Sequence, residues 1–301
     1  MGSDRTVRIV SLLPSATEIL FAVGAGDDVV GVTFECDHPP EARSRRVVST
    51  SALPVGLPPA EVDRLVSERM AAGEDLYHLD EGALSGLNAD LVVTQDLCAV
   101  CAVDTSTVRD AMDYLACRGD VLTVDPGTLA EVFESIRTIG AAAGHRDEAD
   151  LLVAELTGRL AAVRSEVEAA PRPRVLVLEW TDPPFAPGHW VPDMVESAGG
   201  SAVLGESGTR SYRIGWEDVA GAAPEVVVCA PCGYGLDESA ALTAEIVDRV
   251  PAGVPVWAVD ANASFARPGT RLVDGVEALA GIFHPDVFGP PDPRVACRVR
   301  P

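Results

Sequence analysis

The chain has 301 residues, 47% of them hydrophobic and 23% charged. At roughly 100–200 residues per domain this is the length and composition of a globular protein of about two domains with an ample core. The formal net charge is −23, and every basic residue is an arginine. Such an acidic balance argues against nucleic acid or an anionic membrane surface as the main partner, because both need a basic footprint.

In chain order, short apolar runs at Val7–Leu13, Val29–Thr33, Leu91–Thr94 and Val121–Val124 predict buried parallel strands. Helical patterns at Ala16–Val23, Pro59–Ala71 and Val108–Cys117 lie between them. Strands alternating with helices predict parallel sheets covered on both faces. Thr128–Ala169 has no strand signal and is rich in Ala, Leu, Glu and Arg. Gly144 breaks it, leaving a long helix at Asp147–Glu168, and Pro171 and Pro173 stop that helix. A second α/β series follows, with strands at Val175–Glu179, Val226–Cys229 and Val254–Val259 and helices at Met194–Ala198, Ala240–Val250 and Val273–Ile282. The proline-rich tail after Pro285 reads as extended surface chain. The expected organisation is an α/β lobe over 1–127, a helical spine over 128–170 and an α/β lobe over 171–301.

No segment has the unbroken apolar length of a membrane span. The opening MGSDRTVRIV lacks a secretory pattern and a lipoprotein cysteine. Seven cysteines, an odd number without a compact disulfide pattern, fit a reducing compartment. As the chain stands the expectation is cytoplasmic, with a periplasmic or extracellular place if a leader has been removed. There is no P-loop, no G-x-S-x-G and no H-E-x-x-H, and Gly24, Gly26 and Gly31 form no dinucleotide fingerprint.

Three stretches carry a family resemblance: RIVSLLPSATEILFAVGAGDDVVGVT from Arg8 to Thr33, LNADLVVT from Leu87 to Thr94, and ARPGTRLVDGVEALAGIFHPD from Ala266 to Asp286. They resemble the vitamin B12-binding branch of the helical-backbone substrate-binding proteins that serve ABC importers. The resemblance implies two Rossmann-like lobes with parallel sheets, joined by one long helix, with a ligand cleft between them. It further implies cobalamin or a related corrinoid as ligand and an ABC permease as partner. Family members carry a permease-docking glutamate on each lobe. Glu217 matches the C-lobe position, whereas the N-lobe position falls on Gly82, with Glu81 beside it. An extra helical stretch, Pro54 to Gly73, lengthens the N-lobe.

In folds of this kind ligands bind outside the carboxyl ends of parallel strands. The loops after the expected strands are therefore the candidate ligand surface. They supply Glu35, Asp37 and His38 from FECDHP, and Trp180, Phe185, His189 and Trp190 from WTDPPFAPGHW. They also supply Tyr234 from APCGYG, and Phe265 and Arg267 from DANASFAR. The aromatic residues are candidate walls for a large planar ligand, since aromatic faces give apolar area at little entropic cost. Packing within a lobe is the competing role for each of them. Asp96 and Glu179 join Glu35 and Asp37 as candidate acids, and Arg267 and Arg271 as anion holders or helix caps.

Five of the seven cysteines fall in the same loops: Cys36, Cys98, Cys101, Cys229 and Cys232. Thiolates are soft ligands for zinc and iron–sulfur clusters. Cys36, Cys98, Cys101 and Cys232 are candidate metal ligands, and a cytoplasmic metalloprotein or enzyme holding zinc or an iron–sulfur cluster is the alternative function. Cys229, at the end of an apolar strand, and Cys117, in a helical pattern, read as core.

Overall fold

A computed structural model of the chain describes residues 7–54, 56–72, 74, 76–79, 84–95 and 119–300. It contains two compact units, Met1–Pro126 with Phe133–Ala154, and Gly127–Val132 with Glu155–Pro301. Both are α/β, as the alternating pattern requires. The helical 128–170 region, expected as a segment of its own, is divided between them.

The first unit is built on strands β1 (Ile9–Ser11), β2 (Val29–Val32), β3 (Arg46–Val47), β6 (Leu91–Thr94) and β7 (Asp120–Thr123). All pair in parallel, in the order β3-β2-β1-β6-β7. Every residue of β1 and β6 is buried, which is why these strands appear as continuous apolar runs and not as alternating ones. Helix α1 (Pro14–Ala22) starts directly after β1 with proline in its first turn, where a missing N–H costs nothing. Strands β4 (Ser49–Ser51) and β5 (Tyr77–Leu79) form an antiparallel pair, with α2 (Pro59–Ala72) between them in the chain. This accounts for the extra helical stretch. One side of the unit's core packs Val10, Leu12, Val48, Leu76, Leu87 and Val92 together.

Helices α3 (Leu129–Ala142) and α4 (Arg146–Val167) carry the division between units. In α4, Ala149, Val153, Leu156, Leu160, Val163 and Val167 are buried. Their spacing of three and four residues marks one continuous apolar stripe. The helix has 22 residues, a length of ~33 Å at 1.5 Å per residue.

The second unit contains β8 (Arg174–Leu178), β9 (Trp180–Thr181), β10 (Pro184–Ala186), α5 (Val191–Ser197), β11 (Ser201–Ala202), β12 (Tyr212–Arg213) and α6 (Trp216–Gly221). It continues with β13 (Val226–Cys229), α7 (Leu236–Ile246), β14 (Val256–Val259), α8 (Ala261–Ser264), α9 (Leu272–Phe283), α10 (Pro285–Phe288) and β15 (Ala296–Arg300). Its main sheet runs β11-β8-β13-β14-β15 and is parallel except for β15. A small antiparallel sheet, β12-β10-β9, stands beyond the end of β8.

The tail departs from expectation. It forms α10 and then an antiparallel edge strand on β14. The Arg300 guanidinium donates to the carbonyls of Val247, Pro251 and Val254 at 2.7, 2.7 and 2.8 Å. The run ACRVR gives no apolar strand signal; pairing with an existing edge decides its conformation.

Candidate functional site

In the second unit the ends of three parallel strands converge through backbone bonds. The loop after β13 is tied to the end of β8 by Ala230 N–H to Leu178 O at 2.8 Å and Cys232 N–H to Glu179 O at 3.1 Å. It is tied to α8, after β14, by Asn262 N–H to Tyr234 O at 2.9 Å. Trp180 and Tyr234 thereby become ring neighbours, with centroids 5.7 Å apart and planes tilted by 47°. Phe185 is the cross-strand partner of Trp180, and the Arg213 guanidinium lies 5.9 Å from its ring centre. Trp180, Phe185 and Tyr234 all keep partial solvent access. Burial, together with the negative charge of Glu238, raises the Tyr234 phenol above its ordinary value.

Trp190 and Phe265 take a different position. Both are buried, and the Trp190 indole N–H donates to the Phe265 carbonyl at 2.7 Å. This bond pins α5 to the loop after α8. Arg267 is 8% exposed, a long cation largely enclosed within the unit.

His189 precedes Trp190 in the left-handed region, at φ 50°, an unusual conformation for a residue with a side chain. Its N–H donates to Thr209 O at 2.6 Å, and its carbonyl accepts from Gly208 N–H at 3.1 Å. The 187–189 segment therefore lies directly against 205–211. A Cβ on Gly188 would meet Ser211 N at 2.3 Å and Thr209 O at 2.5 Å, so only glycine permits the approach. Burial, and then the Arg210 charge, lower the His189 imidazole below its ordinary value.

Glu179 sits where these pieces meet. Its N–H donates to Phe185 O at 3.1 Å, and its carboxylate accepts from Gly188 N–H at 3.1 Å and from the Ser211 side chain. The residue as a whole keeps some solvent access, but its carboxyl is packed round by protein. Burial pushes that carboxyl up to about 7, against the opposing pull of the Ser211 and Gly188 hydrogen bonds. The sequence marks Glu179 only as one of several loop acids. The 205–213 segment that completes its surroundings carries no apolar run, and its paired glycines are the one signal that could have marked it.

In the first unit, Glu35, Cys36, Asp37 and His38 lie in the loop after β2. Glu35 and Asp37 are half-buried and His38 is exposed. The Cys36 thiol is buried, with the Thr17 and Thr33 hydroxyls 3.0 and 3.1 Å away. Thr17 also donates to Ser11 Oγ at 2.8 Å, linking the thiol to the end of β1. Phe34, beside this loop's start, is 42% exposed, an apolar surface at a strand end that the candidate set omits.

Cys98, Cys101, Cys117, Asp96, Glu81 and Gly82 lie outside the described residues. Among the described residues no three His, Cys, Asp or Glu side chains gather as a metal site. Cys229 is fully buried core, as its place on an apolar strand suggests, and burial pushes its thiol up to about 12. Cys232 is exposed in the loop that carries Tyr234. Glu217 is exposed in the first turn of α6. No helix among the described residues is long and apolar enough to cross a membrane.

A family model described as periplasmic binding protein matches residues 103–257. The chain belongs to this family. Two curated relatives are similar over most of the chain. An uncharacterized ABC transporter substrate-binding lipoprotein of Bacillus subtilis is 27% identical over 293 residues, covering 93% of this chain and 81% of that protein. A cobalamin-binding protein of Halobacterium salinarum is 27% identical over 290 residues, covering 92% of this chain and 69% of that one. Solved periplasmic binding proteins share the fold. The periplasmic heme-binding protein of Roseiflexus in its apo form aligns with a TM-score of 0.67 at 23% identity, over 95% of this chain and 98% of that one. The periplasmic vitamin B12-binding protein of Vibrio cholerae aligns with a TM-score of 0.62 at 20% identity, over 91% and 94%.

Proposed function

We propose that this periplasmic binding protein serves an ABC importer and that its ligand is a large planar macrocycle, with cobalamin or a related corrinoid first. The observation that carries the reading is the partly exposed Trp180–Tyr234 ring pair, with Phe185 across the strand, at the carboxyl ends of parallel strands. Aromatic faces in this position suit a flat apolar ring. The Halobacterium relative, named for cobalamin, supports the corrinoid over other macrocycles. The Bacillus relative, a lipoprotein, favours the exported alternative of the two locations. Exposed Glu217 is the residue offered to a permease. Partly exposed His189 and the Glu35–His38 loop are further proposed ligand contacts.

Absorbance and calorimetric titrations with cobalamin, cobinamide and haem test this reading. Saturable binding of cobalamin or cobinamide is expected, weakened about tenfold or more by Trp180→Ala or Tyr234→Ala as an aromatic stacking contact is lost. Binding of haem alone would replace the corrinoid with a porphyrin. An absence of binding by all three at ~100 µM, equivalent to about −5 kcal/mol, would overturn the macrocycle assignment.

A further inference from the structure

Glu179 makes four polar connections, each to a different piece of the candidate ligand surface. Its N–H reaches Phe185 O on β10, and its carbonyl accepts from Cys232 N–H in the Tyr234 loop. Its carboxylate accepts from Gly188 N–H, beside His189 and Trp190, and from the Ser211 side chain, next to β12. The two backbone bonds would survive substitution. The two carboxylate bonds would not, and they join segments whose close approaches are made at glycines. Gly188 packs on the Thr209–Ser211 backbone, and a Cβ on Gly205 would meet Pro187 O at 2.1 Å. Backbone bonds already tie these segments, His189 N–H to Thr209 O and Gly208 N–H to His189 O; a buried acceptor that satisfies two donors adds a side-chain hold to them.

We propose that Glu179 is a positioning residue: its carboxylate clamps the 187–190 segment against 209–213 and so sets His189, Phe185 and the Trp180–Tyr234 pair in their ligand-ready arrangement. The clamp rests on the ligand surface assigned under the proposed function, and it acts without contact with the ligand. The left-handed backbone at His189 fits this role, since an unfavourable conformation persists only where its surroundings enforce it.

The test uses the full chain and three variants, Glu179→Ala, Glu179→Gln and Ser211→Ala. Glutamine keeps an acceptor for Gly188 N–H and can donate its amide to Ser211 Oγ, so it conserves the clamp; alanine removes it. Two quantities are read: amide hydrogen exchange of the 187–190 segment in the ligand-free protein, carried by the N–H groups of Gly188, His189 and Trp190, and affinity for cobalamin and haem. The expected result is exchange at 187–190 faster by about tenfold in Glu179→Ala, with ligand affinity about tenfold weaker. Glu179→Gln should restore both to within about threefold, and Ser211→Ala should fall between. A purely structural role predicts faster exchange across the whole second unit in Glu179→Ala and no selective change at 187–190; that result overturns the proposal. Unchanged exchange in Glu179→Ala, or a loss in Glu179→Gln equal to that in Glu179→Ala, also overturns it. If wild type binds neither macrocycle, the proposed function fails, while the ligand-free exchange data still decide the clamp. Should Glu179→Ala not fold, Ser211→Ala carries the comparison alone, and wild-type exchange at 187–190 in that variant refutes the clamp.

Discussion

The buried carboxyl of Glu179 makes the stability of the second unit depend on pH in a direction opposite to that of most acidic residues. Its value in the folded chain is about 7, against an ordinary 4.5. The folded state therefore holds this proton more tightly than the unfolded state does. The stabilising contribution is fully present below the unfolded value and is lost as pH rises through the folded one. At full effect this displacement corresponds to about 3 kcal/mol. The Ser211 and Gly188 donors round the carboxyl, and the solvent access of the residue as a whole, soften the cost of charging it, so about 1–2 kcal/mol is the expected share. Urea unfolding from about pH 5 to about pH 8, comparing wild type with Glu179→Gln, isolates this share. Asp292, held down at about 2 by its hydrogen bonds to Arg294, keeps its charge throughout this range. Repulsion within a chain of net charge −23 also grows with pH, but it acts on both proteins and cancels in the difference. Wild type should lose about 1–2 kcal/mol more than Glu179→Gln over this range. Parallel curves, or a wild type that gains on the variant as pH rises, would refute the placement of this carboxyl.

Two further outcomes follow from burial and hydrogen bonding. Trp190→Phe removes the 2.7 Å bond to the Phe265 carbonyl in a nearly enclosed site, and should cost about 2 kcal/mol in urea unfolding, with the unmet acceptor the main part. Among the described cysteines, alkylation mapped by mass spectrometry should label exposed Cys232 first and leave Cys229, fully buried with its thiol pushed up to about 12, unlabelled until the chain unfolds.

Much of the fold was legible because its strands are buried on both faces. Runs such as VVVC at Val226–Cys229 and LVVT at Leu91–Thr94 announce central parallel strands directly. The long helix was equally plain, bounded by Gly144 and by Pro171, and the observed Arg146–Val167 differs by one residue at each end. Short edge strands leave no such signal. Ser201–Ala202, Tyr212–Arg213 and Ala296–Arg300 hold few buried apolar residues and are strands because a neighbour offers its edge.

The candidate site divides along the same line. Local sequence determined which residues follow each strand, and hence that Trp180, Tyr234 and Cys232 would lie at strand ends, because a chain leaving a parallel strand must turn at its carboxyl end. Whether each side chain then faces solvent or the interior was decided by long-range contacts alone. Trp190 stands in the same loop as Trp180, and Phe265 in the strand-end loop that follows that of Tyr234, yet they are buried and joined to each other across 75 residues of sequence. Cys36 sits in a loop as open to view in the sequence as that of Cys232, but Thr17 and Thr33 close over its thiol. Glu179 shows the difference most fully. Its sequence neighbours indicate an ordinary loop acid, whereas Ser211, 32 positions away, and the side-chain-free approach of Gly188 enclose it. Such an enclosure is a property of segments brought together in space, and no local pattern encodes it.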